Sequence, residues 1–336
     1  MFIVLEGTDA SGKTSLTEAV KQELSTRFPD TPIELFHKGK PGELTRNWVL
    51  NDYVFSIEEE NLFKQICLSD RWHWGEITYA PKFRPGTNTD GYGLLGQAGW
   101  RWVELFMASR GIAQFWLYQP LEVIQRRLEV RGDDFVDTSD LSEILSQYHI
   151  ARRASIGTAM LTPKPDSLDV LPELAKTIVD AAEEVSSMAS PLEAFPQYIG
   201  VPKPKALLIG DRPNINKKYS HKTNLPFTPL DSNSGEYLLT SLPDEFWKEI
   251  GLININDQEP GVIRSLWKVL GEPQIIALGR LAEKGLTRQG FTDEEYCVLP
   301  HPQWVRRFAN SRKSEYGQAI ARLATTKDKE DTWILR

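Results

Sequence analysis

Apolar residues recur along this chain in two rhythms. Short, largely apolar runs at Phe2-Ile3-Val4-Leu5, Ile33-Glu34-Leu35-Phe36, Ile66-Cys67-Leu68 and Ile112 to Tyr118 have the length of sheet strands. Between them the spacing is helical. Leu16, Val20 and Leu24 share one face, and Trp100 to Arg110 runs as a helix up to Gly111, where a left-handed cap is wanted. Further helical patterns lie at Leu121 to Val130, Leu141 to Ser155 and Leu171 to Val185. Strands alternating with helices predict a parallel sheet covered on both faces, with ligands at the carboxyl ends of its strands. A stretch of proline and small residues follows, and the rhythm then restarts. Strands are predicted at Ala206 to Gly210, Gln274 to Gly279 and Tyr296 to Leu299, with a helix through Leu281 and Leu286. The pattern predicts an α/β domain over residues 1–189, a linker over 190–204 and a second α/β domain over 205–336.

Size and charge agree with that division. The 336 residues suggest about two domains, and 40% apolar with 25% charged residues is the balance of a globular protein. No run is long and apolar enough to cross a membrane and the amino terminus lacks the pattern of a secretion signal, so a cytosolic protein is expected. The net charge of -7 is uneven: residues 1–189 carry -9 and residues 190–336 carry +2. A global attraction to nucleic acid is excluded, while a local basic patch in the second half is not. Cys67 and Cys297 stand alone in apolar runs, which indicates neither a disulfide nor a metal site.

The chemistry begins directly after the first strand. Gly7-Thr-Asp-Ala-Ser-Gly-Lys-Thr14 is a complete phosphate-binding P-loop, delivered by a strand and received by a helix. Gly7 and Gly12 let the backbone approach phosphate oxygens, Lys13 addresses the β- and γ-phosphates, and Thr14 offers a hydroxyl to Mg2+. Asp9 and Ser11 complete the nucleotide-binding loop, and ATP with Mg2+ is the expected cofactor pair. At the end of the third strand stands Asp70-Arg71-Trp72, followed by Thr78-Tyr79-Ala80. A carboxylate there can hold magnesium-bound water, and the arginine can clamp an acceptor's phosphate. Trp72, Tyr79, Trp100 and Trp102 could stack on a base, although aromatic rings in a chain of this size more often belong to the core.

These motifs resemble the thymidylate kinase family of P-loop nucleoside monophosphate kinases. The resemblance assigns Asp70 and Arg71 to the monophosphate and its metal, with Asp70 acting through water, and places Trp72 and Tyr79 beside the acceptor. Arg126-Arg127-Leu-Glu-Val-Arg131-Gly-Asp133-Asp134, with Tyr148 beyond it, is similar to the family's arginine-rich lid. It implies that Arg127 and Arg131 neutralise the transferring phosphoryl group. The fold implied is the three-layer parallel sheet of P-loop NTPases. One departure stands after the second strand, where the family's Arg-Glu-Pro-Gly is replaced by Gly39-Lys40-Pro41-Gly42.

The second half resembles the uracil-DNA glycosylase superfamily at Gly210-Asp211-Arg212-Pro213-Asn214, at Asn224-Leu225-Pro226-Phe227 and at His301-Pro302-Gln303. The resemblance implies that Asp211 activates water, Phe227 stacks on a base and His301 faces it. Arg306, Arg307, Arg312 and Lys313 follow and are candidates for phosphate contact or for a solvated basic helix. The reading is thus a kinase that phosphorylates a pyrimidine deoxynucleoside monophosphate, dTMP or a modified analogue, to the diphosphate. The alternative is a DNA-modification kinase acting on a hydroxymethylated pyrimidine, with the second domain recognising DNA or excising a base. Small nucleotides are the expected partners; DNA contact and homodimer formation are candidate associations. The fusion suggests a phage protein working in the host cytoplasm.

Overall fold

The computed structural model describes residues 1–39, 46–59, 65–84, 86, 90–132, 136–163, 168–212, 225–229, 233–256 and 258–326. Lys40 to Gly42, Asp133, Asp134, Pro213, Asn214 and Asn224 lie outside them. The chain forms two compact units, residues 1–96 with 111–188, and residues 97–110 with 189–336.

The first unit runs β1 (Phe2–Glu6), α1 (Lys13–Arg27), β2 (Ile33–His37), α2 (Arg46–Glu59), β3 (Ile66–Asp70) and the single-turn helices α3 (Gly75–Thr78) and α4 (Ala80–Phe83). After α5 (Gly96–Ser109) it resumes with β4 (Ile112–Leu117), α6 (Leu121–Arg131), α7 (Leu141–Ala154), β5 (Ala159–Leu161) and α8 (Leu171–Ala189). Its five strands are all parallel, in the order β2-β3-β1-β4-β5. The central β1 and β4 are buried throughout, which is why their sequences are continuous apolar runs. Leu16, Val20 and Leu24 of α1 join Ile178 and Val179 of α8 in one core with Ile3, Leu5, Leu68 and Phe115 of the sheet. The order puts β3 directly beside β1, so the turn after Asp70 emerges next to the P-loop.

The second unit contains β6 (Ile199–Gly200), β7 (Ala206–Gly210), α9 (Asn233–Ser241), β8 (Ile250–Asn254), α10 (Val262–Val269), β9 (Gln274–Leu278), α11 (Arg280–Arg288), β10 (Tyr296–Leu299), α12 (Pro302–Phe308) and α13 (Lys313–Thr326). Its sheet runs β10-β9-β7-β8-β6 and is parallel except for β6, which pairs antiparallel with β8. β6 lies in the stretch expected as a linker. Tyr198, just before it, is buried, and its hydroxyl donates to the Val201 carbonyl at 2.7 Å. Gly251 leaves room for that ring: a Cβ there would stand 2.6 Å from the Tyr198 ring.

Residues 97–110 cluster with this second unit, so its chain crosses the boundary expected at 189. The cause is polar as well as apolar. Arg101 donates to the carbonyls of Leu239 at 2.6 Å and Leu242 at 2.9 Å, satisfying groups that the end of α9 leaves open. Trp102 donates from its indole to the Pro226 carbonyl at 3.0 Å and stacks on Phe106. Trp100 and Trp102 are fully buried in this packing, which removes them as base-stacking rings.

α13 crosses α9 so closely that a Cβ on Gly317 would overlap the Ser241 carbonyl. Helix propensity alone favours alanine over glycine by about 1 kcal/mol. The overlap reverses the sign, so Gly317→Ala is expected to cost roughly 2 kcal/mol in denaturant unfolding. Gly39→Ala, with nothing within 4 Å of its Cβ position, should change little. A Gly317→Ala protein as stable as its parent would contradict this packing.

Candidate functional site

Backbone geometry builds the P-loop. At Gly7 a Cβ would come within 2.9 Å of the Ser11 hydroxyl and 3.0 Å of the Leu117 carbonyl, so no side chain fits. Ala10 and Gly12 adopt left-handed conformations, φ 57° and 99°, and these turn the chain into α1. The first amides of α1 therefore open toward the loop, where they favour an anion. Lys13 is buried, and its ammonium donates to the Gly7 carbonyl at 2.7 Å and the Thr8 carbonyl at 2.9 Å. Thr14, one residue on, is exposed. From α7, the Tyr148 hydroxyl donates to the same Gly7 carbonyl at 2.7 Å and braces the loop from behind.

The turn after β3 is clamped to β1. Leu5 and Asp70 are register partners, Arg71 N–H donates to the Leu5 carbonyl at 2.9 Å, and Trp72 N–H donates to the Glu6 carboxylate at 2.7 Å. Arg71 itself is left-handed, φ 73°, an uncommon conformation for arginine that these two bonds hold in place. Its guanidinium pairs with Asp9 of the P-loop and lies 4.9 Å over the Tyr79 ring, while the Tyr79 hydroxyl donates to the other Asp9 oxygen at 2.9 Å. Arg127 reaches from α6 to the Ala10 and Ser11 carbonyls, each at 3.2 Å. A cleft of about 860 Å³ results, lined among others by Asp9, Lys13, Thr14, Asp70, Arg71 and Arg127. Arg126 and Arg131 stand on its rim, and both are exposed.

Trp72 is placed differently from its neighbours. It is buried, set edge-on against Phe2 at 5.3 Å and tilted on Tyr53 at 5.8 Å, and it is not part of the cleft wall. Sequence reasoning passed over Glu6, which is nearly inaccessible. A charged residue closing a buried apolar strand immediately before a P-loop was the available signal.

Charge in this region is concentrated and dehydrated. Burial pushes the Glu6 carboxyl up to about 7, against the Trp72 N–H, His73, Arg71 and Lys13. Burial also pulls the Lys13 ammonium down to about 8, with repulsion from Arg71 adding to it and Asp70, Asp9 and Glu6 opposing. For Asp9 burial works upward, but Arg71, Lys13 and Tyr79 outweigh it and hold the carboxyl below its usual range. Asp70 has one oxygen 3.7 Å from His37 Nδ1, and its other oxygen is buried with no hydrogen-bond partner.

In the second unit Asp211 directly follows β7 and His301 follows β10 at the expected strand ends, while Phe227 lies in the segment before α9. The Asn256 amide donates to Asp211. Phe227 is left-handed, φ 50°, and buried, with its ring against Gly210, where a Cβ would meet it at 2.9 Å. His301 caps α12, its Nδ1 accepting from Gln303 N–H at 3.2 Å. Burial lowers the pKa of this imidazole while Asp211 opposes the shift.

No family model matches the chain. It is 26% identical over 183 residues to the SPbeta prophage-derived uncharacterized protein YorR of Bacillus subtilis (strain 168), spanning 54% of this chain and 99% of that one. It is 48% identical over 52 residues to the thymidylate kinase of Chlamydia felis (strain Fe/C-56), spanning 15% of this chain and 25% of the enzyme. Among solved structures, YorR in complex with phosphorylated GDP matches at a TM-score of 0.41 and 24% identity, over 55% of this chain and 96% of that one. Deoxyadenosine kinase from M. mycoides, with products dCMP and a flexible dCDP bound, matches at 0.34 and 10%, over 54% and 100%. The first unit thus has distant sequence similarity to a prophage-derived protein and, over 52 residues, to a thymidylate kinase. These relatives lend no support to the glycosylase resemblance of the second half.

Two pH effects follow. Glu6 binds its proton more tightly folded than unfolded, so its contribution to stability is complete below about 4.5 and is lost as pH rises through about 7. Glu6→Gln should flatten the thermal stability profile over that window, and an unchanged profile would show that Glu6 does not titrate there. Lys13 has the opposite sense: bound phosphates favour its cation, so triphosphate binding near pH 8 to 9 should take up a proton. Calorimetry in two buffers of different ionisation enthalpy measures the uptake, and Lys13→Met should abolish it.

Proposed function

We propose that the first unit transfers the γ-phosphoryl group of ATP to the 5'-phosphate of a pyrimidine deoxynucleoside monophosphate. The observation that carries this reading is the meeting of the P-loop, the Asp70-Arg71 turn and the α6 arginines around one cleft. Phosphoryl transfer asks little covalent chemistry of a protein, but it requires cations and donors positioned around the moving group. Lys13 and the loop amides hold the donor's β- and γ-phosphates. Arg71 binds the acceptor's phosphate, exchanging its bond to Asp9 for one to the substrate. An oxygen of that phosphate attacks the γ-phosphorus as the bond to the β,γ-bridging oxygen breaks, leaving two nucleoside diphosphates. Arg127 and Arg131 meet the charge spread over the transferring oxygens. The sequence similarity to thymidylate kinase over 52 residues supports this choice of reaction.

The donor groups suit a divalent cation shared with phosphates. Among the described residues no cluster of three or more His, Cys, Asp or Glu side chains could enclose a metal. Mg2+ does not need one, because it takes one or two protein oxygens together with phosphate and water. The exposed Thr14 hydroxyl and the unpartnered Asp70 oxygen would hold it, and bound there it would neutralise phosphate charge.

The test is an acceptor screen: labelled ATP offered with dTMP, other nucleoside monophosphates and DNA containing hydroxymethyluracil. Transfer to a pyrimidine deoxynucleoside monophosphate is expected. Lys13→Ala and Arg71→Ala should each lower kcat/KM on the order of 100-fold or more. Label appearing on the polymer alone would overturn the assignment in favour of a DNA-modification kinase.

A further inference from the structure

The surface of the second unit carries two large aromatic rings that contribute little to its core. Trp304 is 40% exposed and Phe308 is 70% exposed. They lie one turn apart on α12, with ring centroids 5.3 Å apart and planes inclined by 43°. Pro302 and Val305 of the same helix are buried, so α12 turns a small aliphatic side inward and its larger aromatic side outward. Phe308 lies mostly outside the core and Trp304 partly so, and paired exposed rings mark a surface that meets something else.

The charges beside the rings identify the partner's chemistry. Arg306 and Arg307 stand between Trp304 and Phe308 in sequence, both are exposed, and among the described residues neither has a carboxylate partner. Lys313 follows, Arg312 being paired with Glu315 at 2.7 Å, and no acidic residue occurs from Trp304 to Ser314. In a chain of net charge -7 this is a local reversal of sign. Planar rings offer faces to bases, and guanidinium groups offer bidentate donors to phosphates. A duplex keeps its bases stacked on one another and would leave the rings unused. A lipid surface requires more apolar area than two rings on a seven-residue helix provide.

The platform is also preorganised. α12 starts at the carboxyl end of β10, an edge strand of the sheet, with Pro302 in its first turn and the His301 side chain capping Gln303 N–H. Its position is set before any partner arrives. We infer that α12 is a binding platform for a single-stranded polynucleotide, with bases stacking on Trp304 and Phe308 and phosphates held by Arg306 and Arg307. This inference stands apart from phosphoryl transfer in the first unit, and either can fail without the other.

Fluorescence anisotropy of the full chain with labelled oligothymidylate tests it. The parent protein should bind the single strand, and Trp304→Ala with Phe308→Ala should weaken binding at least tenfold. The same pair should leave the thermal midpoint and nucleotide phosphorylation unchanged. Arg306→Ala with Arg307→Ala should reduce the slope of log affinity against log salt by about 1.4, at about 0.7 per lost phosphate contact. Lys13→Ala should retain oligonucleotide binding, which separates the platform from the P-loop cleft. The inference is overturned by parental affinity in the ring variants, by loss of binding in Lys13→Ala, by equal ring-independent binding of duplex, or by ring-dependent binding to anionic phospholipid vesicles without binding to oligonucleotide.

Discussion

The register between β1 and β3 is the constraint from which the first unit's chemistry descends. Pairing Leu5 with Asp70 brings the end of β3 level with the start of the P-loop. The two backbone donors that follow are then taken by Leu5 and Glu6, and Arg71 is held in a left-handed turn it would not choose alone. A slip of one residue would send every side chain of β3 to the opposite face. The guanidinium would then leave Asp9, and the phosphate contact proposed for it would be lost. The strain at Arg71 is thus offset by ladder bonds elsewhere in the sheet, an arrangement that suits the acceptor-binding role proposed for this residue.

The same constraint explains why the site's charges are dehydrated. Glu6, Asp9, Lys13, Asp70 and Arg71 crowd around the carboxyl ends of two adjacent strands, and the aromatic rings of Trp72, Tyr79 and Tyr148 limit water there. Each charge is tolerable only because of the others. Lys13 repelled by Arg71 and attracted by three carboxylates is close to neutrality of its surroundings, so a bound polyphosphate tips the balance strongly. Asp9 shows the other half of this economy: Arg71 and Tyr79 occupy both of its oxygens, and releasing Arg71 to a phosphate would replace one anion by another. The phosphate recognition proposed for Arg71 would in this sense be an exchange of partners with little net burial of new charge.

Much of this was legible in the chain, for identifiable reasons. β1, β3, β4, β7, β9 and β10 fall on short runs rich in apolar residues, because strands covered on both faces need little polar alternation. The P-loop announces itself through glycines that the backbone demands, as the crowding at Gly7 shows. β5 was missed because it is short and two of its three residues are exposed. β8 was missed because Ile250-Gly-Leu-Ile-Asn is interrupted by a glycine that exists to accommodate Tyr198, a partner distant in sequence. α5 reads correctly as a helix, yet nothing local reveals that its Arg101 and Trp102 satisfy carbonyls more than a hundred residues away. Trp72 illustrates the same limit. Its place after Arg71 suggested a base, while its environment of Phe2 and Tyr53 is a tertiary fact.

The two units spend their polar atoms differently, and the difference argues for different ligands. Around the P-loop, hydroxyls of Thr8 and Ser11 and an oxygen of Asp70 are buried without partners, and four arginines, Arg71, Arg126, Arg127 and Arg131, border the cleft. Buried groups left unpaired are costly, so such a cluster persists where a highly charged ligand completes it. On α12 the situation is inverted: its arginines and rings already face water, and no buried group waits for a partner. A surface of that kind gains little from any single small molecule, since each contact is weak and screened. It gains from a partner that repeats the same contact along its length, because the entropy of association is then met once for many contacts. A polymer with a phosphate and a planar base in every unit satisfies that condition, and a mononucleotide does not.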